Sequence, residues 1–246
     1  MLAILVFGGL AVLLLLRLPE SLIFGVRRPW TSHLVPFVSR NALRIIGLPL
    51  VVEGTPMTAH GGLVANHSSW LDIFVLSAVD RFYFVSKSEV AGWPVIGWLA
   101  RATGTVFIRR DRKDTTRQQE LFNQRLAQGH RLLFFPEGTS TDGKRVLPFK
   151  STLFEPFFAK GHAAGLMIQP ITVVYAPPQG APLRFYGWWG DMDFASHLVK
   201  VLAAPRQGTV HVIFHPEIAV DSVAGRKDLA VRCEAVVRAA HPYANS

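Results

Sequence analysis

The first sixteen positions, Met1 to Leu16, are apolar or glycine without interruption, and no other stretch of the chain is so uniformly hydrophobic. That length falls just short of the roughly 20 residues a helix needs to cross a bilayer. The stretch has neither the basic n-region nor the small-residue cleavage site of a secretory signal. After Arg17-Leu18-Pro19 comes a second apolar patch, Ser21 to Val26, and then Arg27-Arg28-Pro29-Trp30. From Leu34 to Leu48 the apolar positions Leu34, Val35, Val38, Ala42, Ile45 and Ile46 recur near helical spacing, with Arg40 and Arg44 on one polar side. This pattern predicts an amphipathic helix. Residues 1–50 thus read as a membrane-anchoring helical segment and 51–246 as the body. Either the first helix spans and the second lies on the interface, or both insert as a hairpin from one side. All the basic residues follow the first helix, so a spanning helix puts the body in the cytoplasm, against the inner membrane.

Beyond Val51 short apolar runs alternate with helical stretches. The runs Gly61–Ala65, Phe82–Val85, Val106–Ile108, Arg131–Phe135, Met167–Tyr175 and Thr209–Phe214 predict strands. Helices are predicted at Leu71–Val79, Val95–Ala102, Thr115–Gln128, Phe154–Lys160 and Asp228–Ala240, the third closed by Gly129. Strands alternating with helices imply an α/β domain with a mixed, largely parallel sheet flanked by helices. No repeat or low-complexity tract is present, and the Pro/Gly-rich stretch Ala176–Pro182 is a loop.

Composition supports an anchored rather than a polytopic protein. Of 246 residues, 50% are hydrophobic and 17% charged, more apolar than an ordinary soluble enzyme. The net charge of +9 suits anionic lipid headgroups, phosphorylated substrates or nucleic acid. Its placement narrows the choice. Five arginines against Glu20 lie between Arg17 and Arg44, beside the most hydrophobic stretch. Eight basic residues lie between Arg81 and Arg117, around a Phe-Ile-Arg-Arg segment. No nucleic-acid-binding signature is visible, so no nucleic-acid partner is expected. The single cysteine, Cys233, excludes an internal disulfide and a cysteine-rich metal cluster.

Three segments carry chemistry. In Asn66-His-Ser-Ser-Trp-Leu-Asp72 a histidine follows a buried strand, and an aspartate falls in the first turn of the next helix if Ser68 or Ser69 caps it. A carboxylate on the far ring nitrogen fixes the tautomer of a histidine base and steadies the imidazolium it becomes. Phe135-Pro-Glu-Gly-Thr-Ser140 places Glu137, Gly138, Thr139 and Ser140 at a strand carboxyl end, where α/β proteins bind ligands. Gly138 can expose backbone donors there, and Glu137 can hold a substrate hydroxyl or a neighbouring arginine. Gly104-Thr-Val-Phe-Ile-Arg109-Arg110 ends a strand in paired guanidinium groups, whose forks match phosphate. Taken singly, each has a plain alternative: a surface histidine near a helix start, a turn, a surface ion pair.

Together these blocks, with the later apolar strand Ile168-Gln-Pro-Ile171, resemble in order and spacing the glycerolipid acyltransferases of the 1-acylglycerol-3-phosphate acyltransferase (PlsC-like) group. The resemblance runs from about residue 60 to about residue 175. It implies that His67 deprotonates an acceptor hydroxyl, which attacks the thioester of acyl-CoA or an acyl carrier protein, and that Asp72 orients His67. It implies acceptor binding by Arg110 and by Glu137, Gly138 and Thr139, to which Arg109, Ser140 and Lys150 are added as neighbours. No metal, cofactor or covalent acyl-enzyme is required. The implied partners are a lysophospholipid acceptor, the acyl donor and membrane lipids.

The chain departs from the family pattern at Ser140, where arginine often follows Glu-Gly-Thr, and after Phe149-Lys150, where glycine often follows and Ser151-Thr152 stand here. One cationic contact to the acceptor is therefore missing. The expected acceptor is 1-acylglycerol-3-phosphate, giving phosphatidic acid, with a lyso-ornithine lipid as the variant and a non-catalytic lipid-binding protein or a hydrolase as readings of another class. Gly-x-Ser-x-Gly is absent, which argues against an α/β-hydrolase lipase. The Trp-rich segment Gly187–His197 reads chiefly as packing, and His60, His130, His162, His211 and His215 show no ligand spacing.

Overall fold

The structure, a computed structural model, describes residues 1–25, 27–108, 115–158 and 165–244. Its centre is an eight-stranded sheet built from β1 (Leu50–Glu53), β2 (Gly61–Ala65), β3 (Tyr83–Lys87), β4 (Val106–Ile108), β5 (Arg131–Phe134), β6 (Met167–Ala176), β7 (Thr209–Phe214) and β8 (Ile218–Ala219). The order is β1-β7-β6-β2-β5-β3-β4, with β8 paired to the start of β6. Strands β2 to β6 run parallel, while β7 and β8 run antiparallel to β6 and β1 runs with β7. The mixed, largely parallel sheet is thus present as expected.

Side-chain parity along the central strands explains the layers. Leu63, Ala65, Leu133, Ile171, Val173 and Tyr175 point to one face. There they meet α2 (Thr31–Ile46), α3 (Leu71–Val79) and α6 (Phe194–Ala203) through Leu43, Val75, Leu76 and Val201. Val64, Leu132, Phe134 and Ile168 point to the other face, against α5 (Thr115–Ala127), the 3-10 segment Ser151–Phe158 and α7 (Arg226–Ala240). Every position of β2 is buried, as a central parallel strand covered on both faces requires.

Several boundaries differ from the expectation. Helix α1 (Leu2–Phe24) does not stop at Leu16 but runs 23 residues through Pro19. It is therefore long and apolar enough to cross a membrane, and its large side chains are mostly exposed. Buried Glu20 ties it to α2, accepting the N–H groups of Trp30 and Thr31 at 2.7 and 3.0 Å. Helix α2 begins at Thr31, and its buried positions are Thr31, Pro36, Ser39, Ala42 and Leu43. Of the stripe read from spacing, Ala42 is buried, Ile46 packs on the core and Val38 lies against Gly9 of α1, while Ile45 is exposed. Phe37 is exposed too, as are Trp30 before the helix and Trp98 on α4 (Ile96–Thr103). Apolar periodicity shows that some surface must be covered, not whether protein or lipid covers it. Arg40 turns its polar edge inward, donating to the carbonyls of Ala78 and Val79 at the end of α3.

The segment expected to be a helix over Phe154–Lys160 is instead the 3-10 stretch ending at Phe158, with residues 159–160 outside the described ones. The hydropathy pattern does not predict strand β1, strand β8 or helix α6.

Candidate active site

Strands β2 and β5 are parallel neighbours, so the loops leaving them, Asn66–Trp70 and Phe135–Ser140, emerge side by side at one edge of the sheet. Asn66 anchors the first loop. Its buried amide accepts from the Val173 N–H and donates to the Val173 carbonyl, both at 2.8 Å, stitching the end of β2 to β6.

His67 is held at nearly all its polar atoms. Its backbone N–H donates to Glu137 Oε1 at 2.6 Å, and its carbonyl accepts from the Thr141 N–H at 2.9 Å and the Thr141 hydroxyl at 3.2 Å. Its Nδ1 lies 2.7 Å from Asp72 Oδ2. The Phe135 ring stacks on the imidazole, with centroids 4.0 Å apart and planes 13° from parallel. Nε2 alone has no partner among the described residues, and the side chain is 18% exposed. A carboxylate facing Nδ1 places the proton there, so Nε2 carries the lone pair and is open to an incoming hydroxyl.

Asp72 is fully buried in the first turn of α3. Oδ2 also accepts the N–H groups of Ser68 and Ser69 at 2.9 and 3.0 Å, while Oδ1 accepts the Tyr175 hydroxyl at 2.6 Å. The aspartate, not Ser68 or Ser69, therefore gathers the free donors before α3. The Ser69 hydroxyl takes only the Leu71 N–H, at 3.3 Å. Burial and the neighbouring Asp72 carboxylate hold the Tyr175 phenol well above its usual range, so it stays a donor.

Glu137 does not take an arginine. Its Oε1 holds His67 and its Oε2 accepts the Leu147 N–H at 2.8 Å. Burial pushes this carboxyl up to about 8, against the opposing pull of those two backbone donors. Gly138 sits at φ 72°, a left-handed conformation that favours glycine, and a β-carbon there would come within 2.8 Å of Lys150 Nζ. The exposed Lys150 side chain thus lies along the turn. Thr139 is exposed and Ser140 half-buried in the same loop, and no hydrogen bond joins either to His67. Arg109 and Arg110 lie outside the described residues.

Among the residues that sequence reasoning missed, Tyr175 matters most. The only available signal was its parity in β6, which it shares with Ile171 and Val173 and which turns it toward α3. Behind the loop, the Trp188 N–H donates to the Ser68 carbonyl at 2.8 Å, and the Trp70 indole donates to Nδ1 of buried His197 at 3.0 Å. The tryptophan-rich segment therefore packs against the histidine loop. Cys233 is buried, and burial pushes its thiol up to about 12, leaving it inert. No cluster of metal-binding side chains occurs among the described residues.

The family model described as Acyltransferase matches residues 53–174. The chain is 55% identical to a lyso-ornithine lipid O-acyltransferase of Rhodobacter capsulatus, over 96% of this chain and 86% of that protein. It is 36% identical to the lyso-ornithine lipid O-acyltransferase of Brucella abortus, over 96% of this chain and 92% of the relative. A 1-acyl-sn-glycerol-3-phosphate acyltransferase of Neisseria gonorrhoeae is 41% identical over 48% of each chain. Among solved structures, the 1-acyl-sn-glycerophosphate acyltransferase PlsC of Thermotoga maritima superposes with a TM-score of 0.61 at 20% identity, over 84% of this chain and 76% of that one. At that identity the likeness speaks for the fold.

Proposed function

This chain belongs to the glycerolipid acyltransferase family, and from that premise we propose that it esterifies the free hydroxyl of a lyso-ornithine lipid with a fatty acyl group taken from an acyl thioester. The observation that carries the chemistry is His67, fixed on its backbone and at Nδ1 and open only at Nε2. The acceptor hydroxyl gives its proton to Nε2 as its oxygen attacks the thioester carbonyl. The new C–O bond forms, the C–S bond breaks, and the imidazolium returns the proton to the departing thiolate. Asp72 keeps Nδ1 protonated and faces the cation that forms, and Tyr175 fixes the carboxylate from behind. Glu137 is assigned a positioning role, and Gly138, Thr139, Ser140 and Lys150, with Arg109 and Arg110, the acceptor headgroup. The donor is acyl-CoA or acyl carrier protein, with no metal or cofactor taking part.

Two observations favour the ornithine headgroup over 1-acylglycerol-3-phosphate. Relatives that align along nearly the whole chain carry the lyso-ornithine name. Ser140 also replaces the arginine expected beside a phosphate, removing one cation from the site. The 1-acylglycerol-3-phosphate reading stands second, because relatives of that name share the central blocks. Residues 1–50 are proposed as the anchor and 51–246 as the acyltransferase domain, lying on the cytoplasmic side of the inner membrane.

The test offers the purified full chain both donors, with lyso-ornithine lipid or 1-acylglycerol-3-phosphate, and identifies the products by mass. Ornithine lipid formed at the higher kcat/KM, and lost in folded, membrane-bound His67→Ala, is the expected result. Preference for 1-acylglycerol-3-phosphate overturns the acceptor. Thiol release at full rate without any lysolipid points to hydrolysis, and no release at all points to a binding protein.

A further inference from the structure

We propose that a narrow recess at the opposite end of the strands from His67 binds the phosphate of an anionic membrane lipid through Arg28 and Arg81, assisted by the hydroxyl of Ser32. The placement follows from the topology. His67 leaves the carboxyl end of β2, whereas Arg81 leads into the amino end of β3 and Thr103 precedes the amino end of β4, and these strands run parallel. The recess is therefore separate from the reactive site.

Its chemistry is that of an anion site. Arg28, Arg81 and Ser32 line it, and no carboxylate does so among the described residues. The Thr31 hydroxyl donates to Glu20 and that of Thr103 to the carbonyls of Leu99 and Ala100. The nearby acids are already occupied. Glu20 is held by Arg17, Trp30 and Thr31, and Asp80 by Arg131 at 2.8 Å. Arg28 donates to the Ala102 carbonyl with one nitrogen, while its Nε is buried without a partner. Beneath it a second buried arginine, Arg125, has neutral partners only, the Gly104 carbonyl, His130 Nδ1 and the Tyr83 ring. The surplus of positive charge leaves a mark on His130, which burial and the fields of Arg125 and Arg28 hold down to about 4. Glu20 and Asp80 offset part of this charge from a distance, and the Arg81 guanidinium also meets His33 Nε2 at 3.2 Å. Among the described residues, however, no carboxylate is hydrogen-bonded to the guanidinium of Arg28, Arg81 or Arg125, which leaves room for an anion.

Membrane lipid is the nearest source of one. The apolar helix α1 ends at Phe24, four residues before Arg28, so the recess opens where that helix leaves the hydrocarbon. Trp30, next to Thr31 in the chain, and Trp98, on the helix that ends at Thr103, are both exposed, as side chains at headgroup depth commonly are. Anionic phosphates lie at that depth. The recess holds about 10 Å³, room for a single phosphate oxygen, and leaves the rest of a headgroup at its mouth.

The experiment titrates the detergent-solubilised full chain with dihexanoyl phosphatidylglycerol, dihexanoyl phosphatidylcholine or inorganic phosphate and reads binding by calorimetry. Phosphatidylglycerol binding is expected in the wild type and in His67→Ala alike. Arg81→Gln should weaken it about tenfold, as loss of one charge-assisted contact predicts. Arg232→Gln on α7, which removes the same charge far from the recess, should leave it unchanged. Arg28→Gln should weaken binding further, but Arg28 also supports Ala102, so the exposed Arg81 decides the matter if that variant does not fold. Wild-type affinity in Arg81→Gln, or an equal loss in Arg232→Gln, overturns the site. Equal affinity for inorganic phosphate overturns the lipid as its ligand, and equal affinity for phosphatidylcholine overturns the need for a net negative headgroup.

Discussion

Tyr175 donates its phenolic proton to Asp72 Oδ1 at 2.6 Å, the oxygen opposite the one that faces His67. The two residues lie 103 positions apart, and the contact joins β6 to the first turn of α3 beneath the histidine loop. Tyr175→Phe keeps the buried ring and removes only this donor. It should lower kcat by about 10- to 100-fold, the usual effect of loosening a group that orients another. Thermal unfolding should show a loss of about 1–3 kcal/mol. Unchanged kcat in the variant would show that Asp72 is held well enough by the backbone alone.

Asp72→Asn tests the carboxylate itself. An amide cannot accept from Nδ1–H, Ser68 N–H, Ser69 N–H and Tyr175 together, and it turns an N–H toward a donor in one of its two orientations. Turnover should fall by roughly 10³- to 10⁴-fold, as when the orienting acid of a triad becomes an amide. Single-turnover acyl transfer, measured on protein whose circular dichroism matches the wild type, checks this outcome.

Glu137 predicts a pH dependence of stability. Burial pushes its carboxyl up to about 8 from an ordinary 4.5, so the folded chain keeps a proton that the unfolded chain has released. Stability from this group is intact below the ordinary value and falls as pH rises, by up to about 1.4 kcal/mol per unit, until the folded carboxyl has also ionised. Denaturant titrations from about pH 5 to about pH 9 should show this decline in the wild type and its absence in Glu137→Gln. A wild-type stability that does not fall across this window refutes the assignment.

Asn66 joins two strands with one amide. Asn66→Ala leaves the buried N–H and carbonyl of Val173 without partners and should destabilise the fold by about 2–4 kcal/mol. Asn66→Asp, equal in shape but unable to donate, should recover only part of this, because the Val173 carbonyl still lacks a donor. Tm values for the three proteins decide between them.

What could be read in the sequence, and what could not, follows from the range of each interaction. The strands Gly61–Ala65 and Arg131–Phe134 are legible because both their faces are apolar, and the pairing of His67 with Asp72 because five residues of loop and helix turn bring them together. Tyr175 is not legible, because its partner is set by the sheet order and by strand parity. Strand β1 is not legible because Leu50-Val-Val-Glu53 is mostly exposed at a sheet edge and shows no buried run. Helix α6 was hidden by the tryptophans before it, although Asp193 caps it by accepting the Ser196 N–H at 2.7 Å. The role of Glu137 could not be read either. A carboxylate in a loop looks the same whether it faces a substrate, an arginine or, as here, two backbone amides.

The loop after β5 grips His67 at both its amide, through Glu137, and its carbonyl, through Thr141. On the proposed assignment of the headgroup to this loop, headgroup reading and proton removal are not independent modules that can be exchanged separately. Any change that re-aims residues 138–141 toward a different lysolipid also re-aims the imidazole. A designer who restores arginine at Ser140 to recruit a phosphate should find kcat moving together with KM. Natural change of acceptor on this scaffold is then constrained to paths along which both loops shift as one.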